Sequence, residues 1–310
     1  MRKTLFLFLF CTCFAFADII TTEGASYIFK GDGGEIYFDI YNKDGAKVNG
    51  HMFLGAKTYE FGGENVKFDG EKLKIDENSD LTLKLNDKEL KVSLNSPDEH
   101  RNLNMKMYKR YSILSFNAEN QPDFDKKGNY SLDISKNVTP DNALEYFKTK
   151  KDMEKEYRAL KFERENSVDK DEIDSVYSVS SDERVFYENN KLLVLLESSY
   201  IYTGGAHGMG VESYYVLIGK KQISIDDLLK NSSDEKLRSM IWDKIKDVAF
   251  EEVKNEFKIS GNFYISPNGV TFVYAPYEVA AYAYGSVKAH FTFDEISPFL
   301  KDGIKKALKI

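Results

Sequence analysis

The sequence predicts an α+β protein: an N-terminal antiparallel β meander or small barrel, followed by an α+β module. Three observations carry this expectation. From Ala25 to Leu94 apolar and polar residues alternate, which is the period of a pleated strand with two unlike faces. Turn-forming stretches cut that alternation at hairpin spacing, at Asn42-Lys43-Asp44-Gly45, Gly62-Gly63, Asp69-Gly70 and Asn86-Asp87-Lys88, where tight turns demand positive φ. Beyond residue 100 strands are interleaved with helix start signals and an apolar stripe of helical spacing.

The elements follow in chain order. Met1 to Ala17 opens with Arg2 and Lys3, continues apolar from Leu5 to Phe16, and ends in Ala15-Phe16-Ala17 before Asp18, the pattern of a cleavable secretory signal. Its apolar stretch is shorter than the ~20 residues a spanning helix needs. Both cysteines, Cys11 and Cys13, lie inside it, so cleavage leaves no disulfide, thiolate metal site or cysteine nucleophile. The expected product is periplasmic or secreted, with no membrane span after cleavage. Residues 18–100 form the β-rich domain, in which Ile36, Phe38 and Ile40, then Leu81, Leu83 and Leu85, then Leu90, Val92 and Leu94 mark the inner face. Six to eight short strands are expected there. The polar stretch Ser96 to Asn104 marks the boundary.

Residues 101–310 form the second domain. A strand pair over Tyr108 to Asn117 and Tyr130 to Ser135 precedes a helix that Thr139-Pro140-Asp141 starts, since Thr caps and Pro suits the first helical position. Asn166 to Asp174 reads as an acidic loop. Strands are expected at Val176–Val179, Arg184–Tyr187, Leu192–Tyr202 and Glu212–Ile218. Ser232 with Glu235 fits a capping box, and Leu237, Ile241, Ile245 and Val248 give the helix its stripe to about Phe257. A hairpin over Phe263–Ser266 and Val270–Tyr274 turns at Pro267-Asn268-Gly269. The Tyr-rich loop Pro276–Gly285, a strand Val287–Phe293 and a closing helix capped by Asp294 complete the chain.

Charge narrows the function classes. With 43 Lys and Arg against 50 Asp and Glu, the net charge of −7 disfavours nucleic acid, which selects a basic face. Twenty Tyr and 22 Phe against one Trp suit strands and half-wet contact surfaces. None of the four histidines stands at metal-ligand spacing from another, and no Gly-x-Ser-x-Gly elbow or phosphate loop with a Lys-Ser/Thr ending occurs. No metal or cofactor is expected. His207 alone has a catalytic look, exposed among glycines in Tyr202-Thr203-Gly204-Gly205-Ala206-His207-Gly208 and able to titrate near neutrality. The competing reading is that it fixes its loop by a buried hydrogen bond. Tyr277, Tyr282 and Tyr284 either cover the core edge or form a recognition surface.

Three motifs in this order carry a resemblance: Tyr202–Gly208, Phe263–Gly269 and Pro276–Gly285. Together they resemble the extracytoplasmic domain pair, of uncharacterised function, in RsiV-type anti-sigma factors and in the accessory region of PdaC-type peptidoglycan deacetylases. The resemblance spans about Tyr108 to Leu308 and leaves the N-terminal strands outside. The family has Pro before the second loop tyrosine, where this chain has Ala281. It implies helices packed on an antiparallel sheet. The anti-sigma members use the module as a lysozyme receptor, whereas in the deacetylases it accompanies a separate catalytic domain.

The resulting expectation is a non-catalytic binding protein for a lysozyme-like protein or an envelope glycan. Its binding residues would be Tyr202, Thr203, Gly204, Gly205, His207, Gly208, Pro276, Tyr277, Tyr282 and Tyr284. The alternatives are an envelope hydrolase that uses His207 with a carboxylate, and an envelope assembly factor. N-terminal sequencing of exported protein should find Asp18 first; a retained Met1, or lipid on Cys11 or Cys13, would overturn the export reading.

Overall fold

The computed structural model describes residues 20–41, 47–63, 66, 68–119, 130–138, 177–202 and 206–310. The signal segment, the helix expected from Thr139 and the loop Asn166–Asp174 lie outside the described residues.

Eight antiparallel strands form the N-terminal barrel: β1 Ile20–Gly31, β2 Gly34–Tyr41, β3 Lys47–Leu54, β4 Lys57–Gly63, β5 Asp69–Lys74, β6 Asp80–Asn86, β7 Glu89–Ser96 and β8 Glu99–Glu119. They pair in chain order, and β1 closes the ring on β8. The alternation read from the sequence is the inside of this barrel. Ile36, Phe38, Leu81, Leu83, Leu90, Val92 and Leu94 are buried, together with Phe29, Val48, Met52, Leu103 and Met105. Closure removes the free strand edges that an open sheet would leave for aggregation.

No linker follows Ser96. Pro97 and Asp98 form a tight turn into β8, which runs straight through the boundary expected at residue 100. The first part of β8 pairs with β7, and its last part, Ser112 to Glu119, pairs with β9 Tyr130–Val138. One strand therefore belongs to the barrel and to the sheet beyond it. That sheet continues through β10 Tyr177–Glu188, parallel to β9, then β11 Leu192–Tyr202, β12 Met209–Ile218 and the short β13 Lys221–Gln222, all antiparallel. The two strands expected at 176–179 and 184–187 are one. Its register to β11 slips between Val185 and Tyr187, a bulge that makes Phe186 an extra residue and re-aims it.

A second sheet, β14 Phe263–Ser266, β15 Gly269–Tyr274 and β16 Val287–Phe291, packs with the helices. Its hairpin requires glycine at position 269, where φ is +140° and a Cβ would meet the Phe291 carbonyl oxygen at 1.9 Å. The helices are shorter than their stripes suggested. A four-residue helix α1, Ile225–Leu228, was not anticipated; Ser224 and Asp227 close its capping box. Helix α2 spans Glu235–Ile245 and is capped by Asp234, whose side chain accepts from the Leu237 N–H at 2.9 Å, whereas Ser232 donates to Asp226 instead. It stops well before Phe257 because Ala249 bridges to Ala280 and the Phe250 N–H binds the Val279 carbonyl at 2.8 Å. The closing helix is likewise broken, into α3 Phe293–Ile296 and α4 Asp302–Leu308. Thr292, not Asp294, caps α3, and β16 stops at Phe291 to free that cap. Pro298 follows, a residue that disfavours helix just before itself, and Leu300 then bridges to Leu229. The protein is α+β but mostly strand.

The barrel's outer wall is part of the second core. Ile28, Tyr37 and Phe53 are buried in one cluster with Phe186, Tyr214, Trp242 and Phe272. Nearby, Asp39 is wholly buried with Ser26 donating to it and Tyr41 donating to Asp182 across from β2 to β10. Burial, with the Asp182 charge second, pushes the Asp39 carboxyl up to about 7. A raised carboxyl stabilises the fold below its unfolded value near 4, and the contribution is lost as pH rises through 7. In Asp39→Asn, stability relative to the parent should therefore increase between pH 4 and 7, by up to about 1.4 kcal/mol per pH unit. Urea titrations at four pH values check this; parallel curves for the two proteins would refute it.

Candidate functional site

The motif at residues 202–208 and the Tyr-rich loop meet at the turn end of the β11–β12 hairpin. His207 is the joint. Its Nε2 is 3.3 Å from the Tyr277 hydroxyl, its Nδ1 is 2.9 Å from the Gly208 carbonyl oxygen, and its ring stacks on Tyr282 with centroids 4.4 Å apart. A carbonyl oxygen only accepts, so Nδ1 carries the proton in the neutral ring and Nε2 accepts from Tyr277. Tyr277 also faces Tyr282 at 5.5 Å. Three rings thus form one cluster from two segments seventy residues apart in the chain.

The Tyr-rich loop is held by its own backbone. The Tyr277 N–H binds Ala280 O at 3.1 Å, the Tyr284 N–H binds Ala281 O at 3.0 Å, and the Glu278 carboxylate accepts from Ala275 N at 2.8 Å. Val279 and Ala280 are buried beneath it. This anchoring leaves Tyr277 52% and Tyr284 57% exposed. Tyr277 has φ +70°, in the left-handed region that L-residues with bulky side chains rarely adopt. Such strain persists where the surroundings over-determine it, and it concentrates at functional sites.

The expected binding residues divide accordingly. Tyr277 and Tyr284 are exposed on the loop; Tyr202, Pro276 and Tyr282 are half-buried; His207 is exposed. Gly208 is buried and serves packing, because a Cβ there would fall 2.4 Å from the Tyr200 ring and 2.6 Å from the Ile201 carbonyl oxygen. Thr203, Gly204 and Gly205 lie outside the described residues. The His207 bond to Tyr277 is exposed and the bond to Gly208 is part-buried, so neither is the fully buried bond of the loop-fixing reading.

Three contributors were missed: Tyr200 at 40%, Ile201 at 45% and Met209 at 38% exposure. Ile201 pairs with Met209 across the hairpin, and the Tyr200 ring covers Gly208. A signal for them exists in the sequence. The buried run of β11 ends at Leu196, and Glu197, Ser198 and Ser199 then separate Tyr200 and Ile201 from it, as when a strand outruns its core.

Two family models match the chain: "Deacetylase PdaC" over residues 66–210 and "Protein of unknown function (DUF3298)" over residues 221–294. They correspond to the expected domain pair. The first begins inside the barrel, so the N-terminal strands are not wholly outside the resemblance. The 202–208 motif falls in one match and the Tyr-rich loop in the other. No curated protein matches. Among solved structures, a DUF3298 family member from Bacteroides fragilis NCTC 9343 is similar at 19% identity and TM-score 0.47, covering 64% of this chain and 97% of that one. A DUF3298 family protein from Pseudomonas aeruginosa PAO1 is similar at 18% identity and TM-score 0.45, covering 62% and 95%.

Since neither His207 bond is fully buried, His207→Ala should cost under ~1 kcal/mol. Gly208→Ala must push the Tyr200 ring or the Ile201 backbone aside and should cost ~1–3 kcal/mol, the scale of overpacking. Thermal melts of both variants give the comparison; the reverse order would contradict the packing role of Gly208.

Proposed function

We propose that the protein is an exported, non-catalytic binding protein whose β11–β12 end and Tyr-rich loop recognise a lysozyme-like protein in the cell envelope. One observation carries the reading. Of the seven large hydrophobic side chains that stand exposed among the described residues, five are Tyr200, Ile201, Met209, Tyr277 and Tyr284. Apolar residues scattered singly over a surface are ordinary, but a cluster on one edge marks a contact site. Tyrosines held on a rigid loop supply contact area at small entropic cost. The net charge of −7 favours encounter with a basic partner.

His207 serves this edge as a spacer between rings. Both its nitrogens are engaged, by Gly208 and Tyr277, which supports binding over acid–base chemistry. A glycan is the second reading, because the exposed Tyr277 and Tyr284 rings offer flat faces on which a sugar can lie. Among the described residues no helix is long and apolar enough to cross a membrane.

The backbone at Tyr277 provides a selective test. Tyr277→Gly removes the ring and also relieves the positive φ, so the fold should be as stable as the parent or slightly more so. Loss of a central aromatic anchor should cost at least ~2 kcal/mol of binding, about thirtyfold in affinity. The measurement is titration of lysozyme, and separately of soluble peptidoglycan fragments, against parent and Tyr277→Gly, with melts alongside. Undiminished binding in a stably folded variant would refute the site, and no binding of either ligand by the parent would refute the proposed partners.

A further inference from the structure

A second concavity lies at the opposite end of the same hairpin. It encloses about 520 Å³ between β8 and the two turns at residues 189–191 and 219–220, within the usual range for small-molecule sites. The eleven residues of β11, at about 3.3 Å each, set it roughly 30 Å from the Tyr-rich edge. Its floor is apolar, made by Leu192, Leu193 and Leu217, all buried.

One wall is made by Tyr108 and Lys109. Neighbouring strand residues ordinarily point to opposite faces. Here the pairing of β1 with β8 passes from Ile28–Lys109 to Phe29–Met107, so Tyr108 is the extra residue of a bulge, which lets both side chains line the same cavity.

The one carboxylate inside is paired before any ligand arrives. Glu188 is buried, salt-bridged to Lys109 and bonded by the Tyr111 hydroxyl at 2.7 Å. Lys30, behind the wall, pairs with Glu35 at 2.9 Å and lies over the Tyr108 ring at 4.4 Å. Two ammonium groups are left over. Lys191 and Lys220 line the cavity from the two turns, and among the described residues neither makes a salt bridge. In a chain of net charge −7 this is a local excess of positive charge above an apolar floor.

The turns that present them are fixed. The Gly219 N–H binds the Lys191 carbonyl at 2.9 Å, tying one turn to the other. Asn189 accepts from the N–H groups of Lys191 and Leu192, both at 2.9 Å, and the Tyr108 hydroxyl donates to Asn190 at 3.2 Å. A preformed site spends little of its binding energy on ordering itself.

We infer that this cavity binds a small organic anion, with the acid group held by Lys191 and Lys220 and a body of one or two rings laid on the leucine floor. Ammonium groups act as point charges, so a carboxylate and a phosphate ester are both admissible heads. The inference is independent of what the Tyr-rich edge recognises.

The test uses three probes that share one ring: N-acetylmuramic acid, which carries a carboxylate, N-acetylglucosamine 6-phosphate, which carries a phosphate, and neutral N-acetylglucosamine. Calorimetric titration of the mature protein should show saturable binding of at least one acid below about 1 mM, and at least tenfold weaker binding of the neutral sugar. The preferred head identifies the anion. The Lys191→Gln/Lys220→Gln variant should lose at least tenfold for that acid, while Tyr277→Gly retains it in full. Equal binding of acid and neutral sugar, an unchanged constant in the double-lysine variant, or no saturable binding of either acid would overturn the inference.

Discussion

The fold depends on one buried histidine. His51, on the outer face of β3, is 1% exposed and lies between the rings of Tyr37, at 5.2 Å, and Phe186, at 4.4 Å, with Phe53 against its edge. Its Nε2 is 2.7 Å from the Phe186 carbonyl oxygen, so that nitrogen bears the proton. Burial, aided by the nearby Arg184 charge, pulls the imidazole down to about 3. It is therefore a flat neutral ring across the physiological range, and it stacks as one. Charging it would bury a cation near the Arg184 guanidinium, so its protonation opposes the intact junction.

What surrounds this ring makes two domains into one body. Tyr37 lies parallel to this ring and ends in polar company. Its hydroxyl donates to Glu35 at 2.6 Å and accepts from the Glu188 N–H at 3.2 Å, and Lys30 donates to the Glu188 carbonyl at 2.7 Å. Strand β8 runs unbroken across the same border. An irregularity sits on each side of it, the bulge at Tyr108 in β8 and the bulge at Phe186 in β10. Without the extra residue at 186 the alternation of β10 would carry that ring to the other face, and His51 would lose both its stacking partner and its carbonyl acceptor. Ordinary interdomain contacts are polar and permit relative motion; this one is an aromatic core.

The legible part of the sequence was whatever local chemistry decides. The barrel interior followed from alternation at Ile36, Phe38 and the leucines from Leu81 to Leu94, because a period of two puts every second side chain on one face of a pleated strand. The Pro267-Asn268-Gly269 hairpin and the Tyr-rich loop were equally local. Helix ends were misread where a distant segment competed for the backbone: Ala249 and Phe250 bridge to Val279 and Ala280, and no pattern within residues 246–257 announces that. Bulges were invisible for the same reason, since Phe186 and Tyr108 are surplus only relative to β11 and β1. Nothing in the local sequence marks His51 as a core residue, and its burial is set by Phe186, 135 residues away. At the Tyr-rich edge the two motifs were visible separately, but their meeting through His207 and Tyr277 was not. Tyr200, Ile201 and Met209 lie in strands whose ends outrun the core, marked in the sequence by the polar step Glu197 to Ser199.

The β11–β12 hairpin then accounts for two unlike surfaces on one module. Its first half, Leu192 to Leu196 against Tyr214, Val216 and Leu217, is buried, so it is fixed. Its ends are free of the core and differ in chemistry. The end at residues 200–209 presents rings and a thioether, suited to a broad face that water must leave. The end at residues 189–191 and 219–220 presents ammonium groups over leucines, suited to a ligand small enough to enter a cavity. A rigid strand pair ties the positions of the two ends together without requiring that one respond to the other. Coupling would need a bistable element between them, and the buried register from Leu192–Ile218 to Glu197–Ser213 is continuous, with no slip. The geometry therefore favours independence of the two ends over an allosteric relay between them.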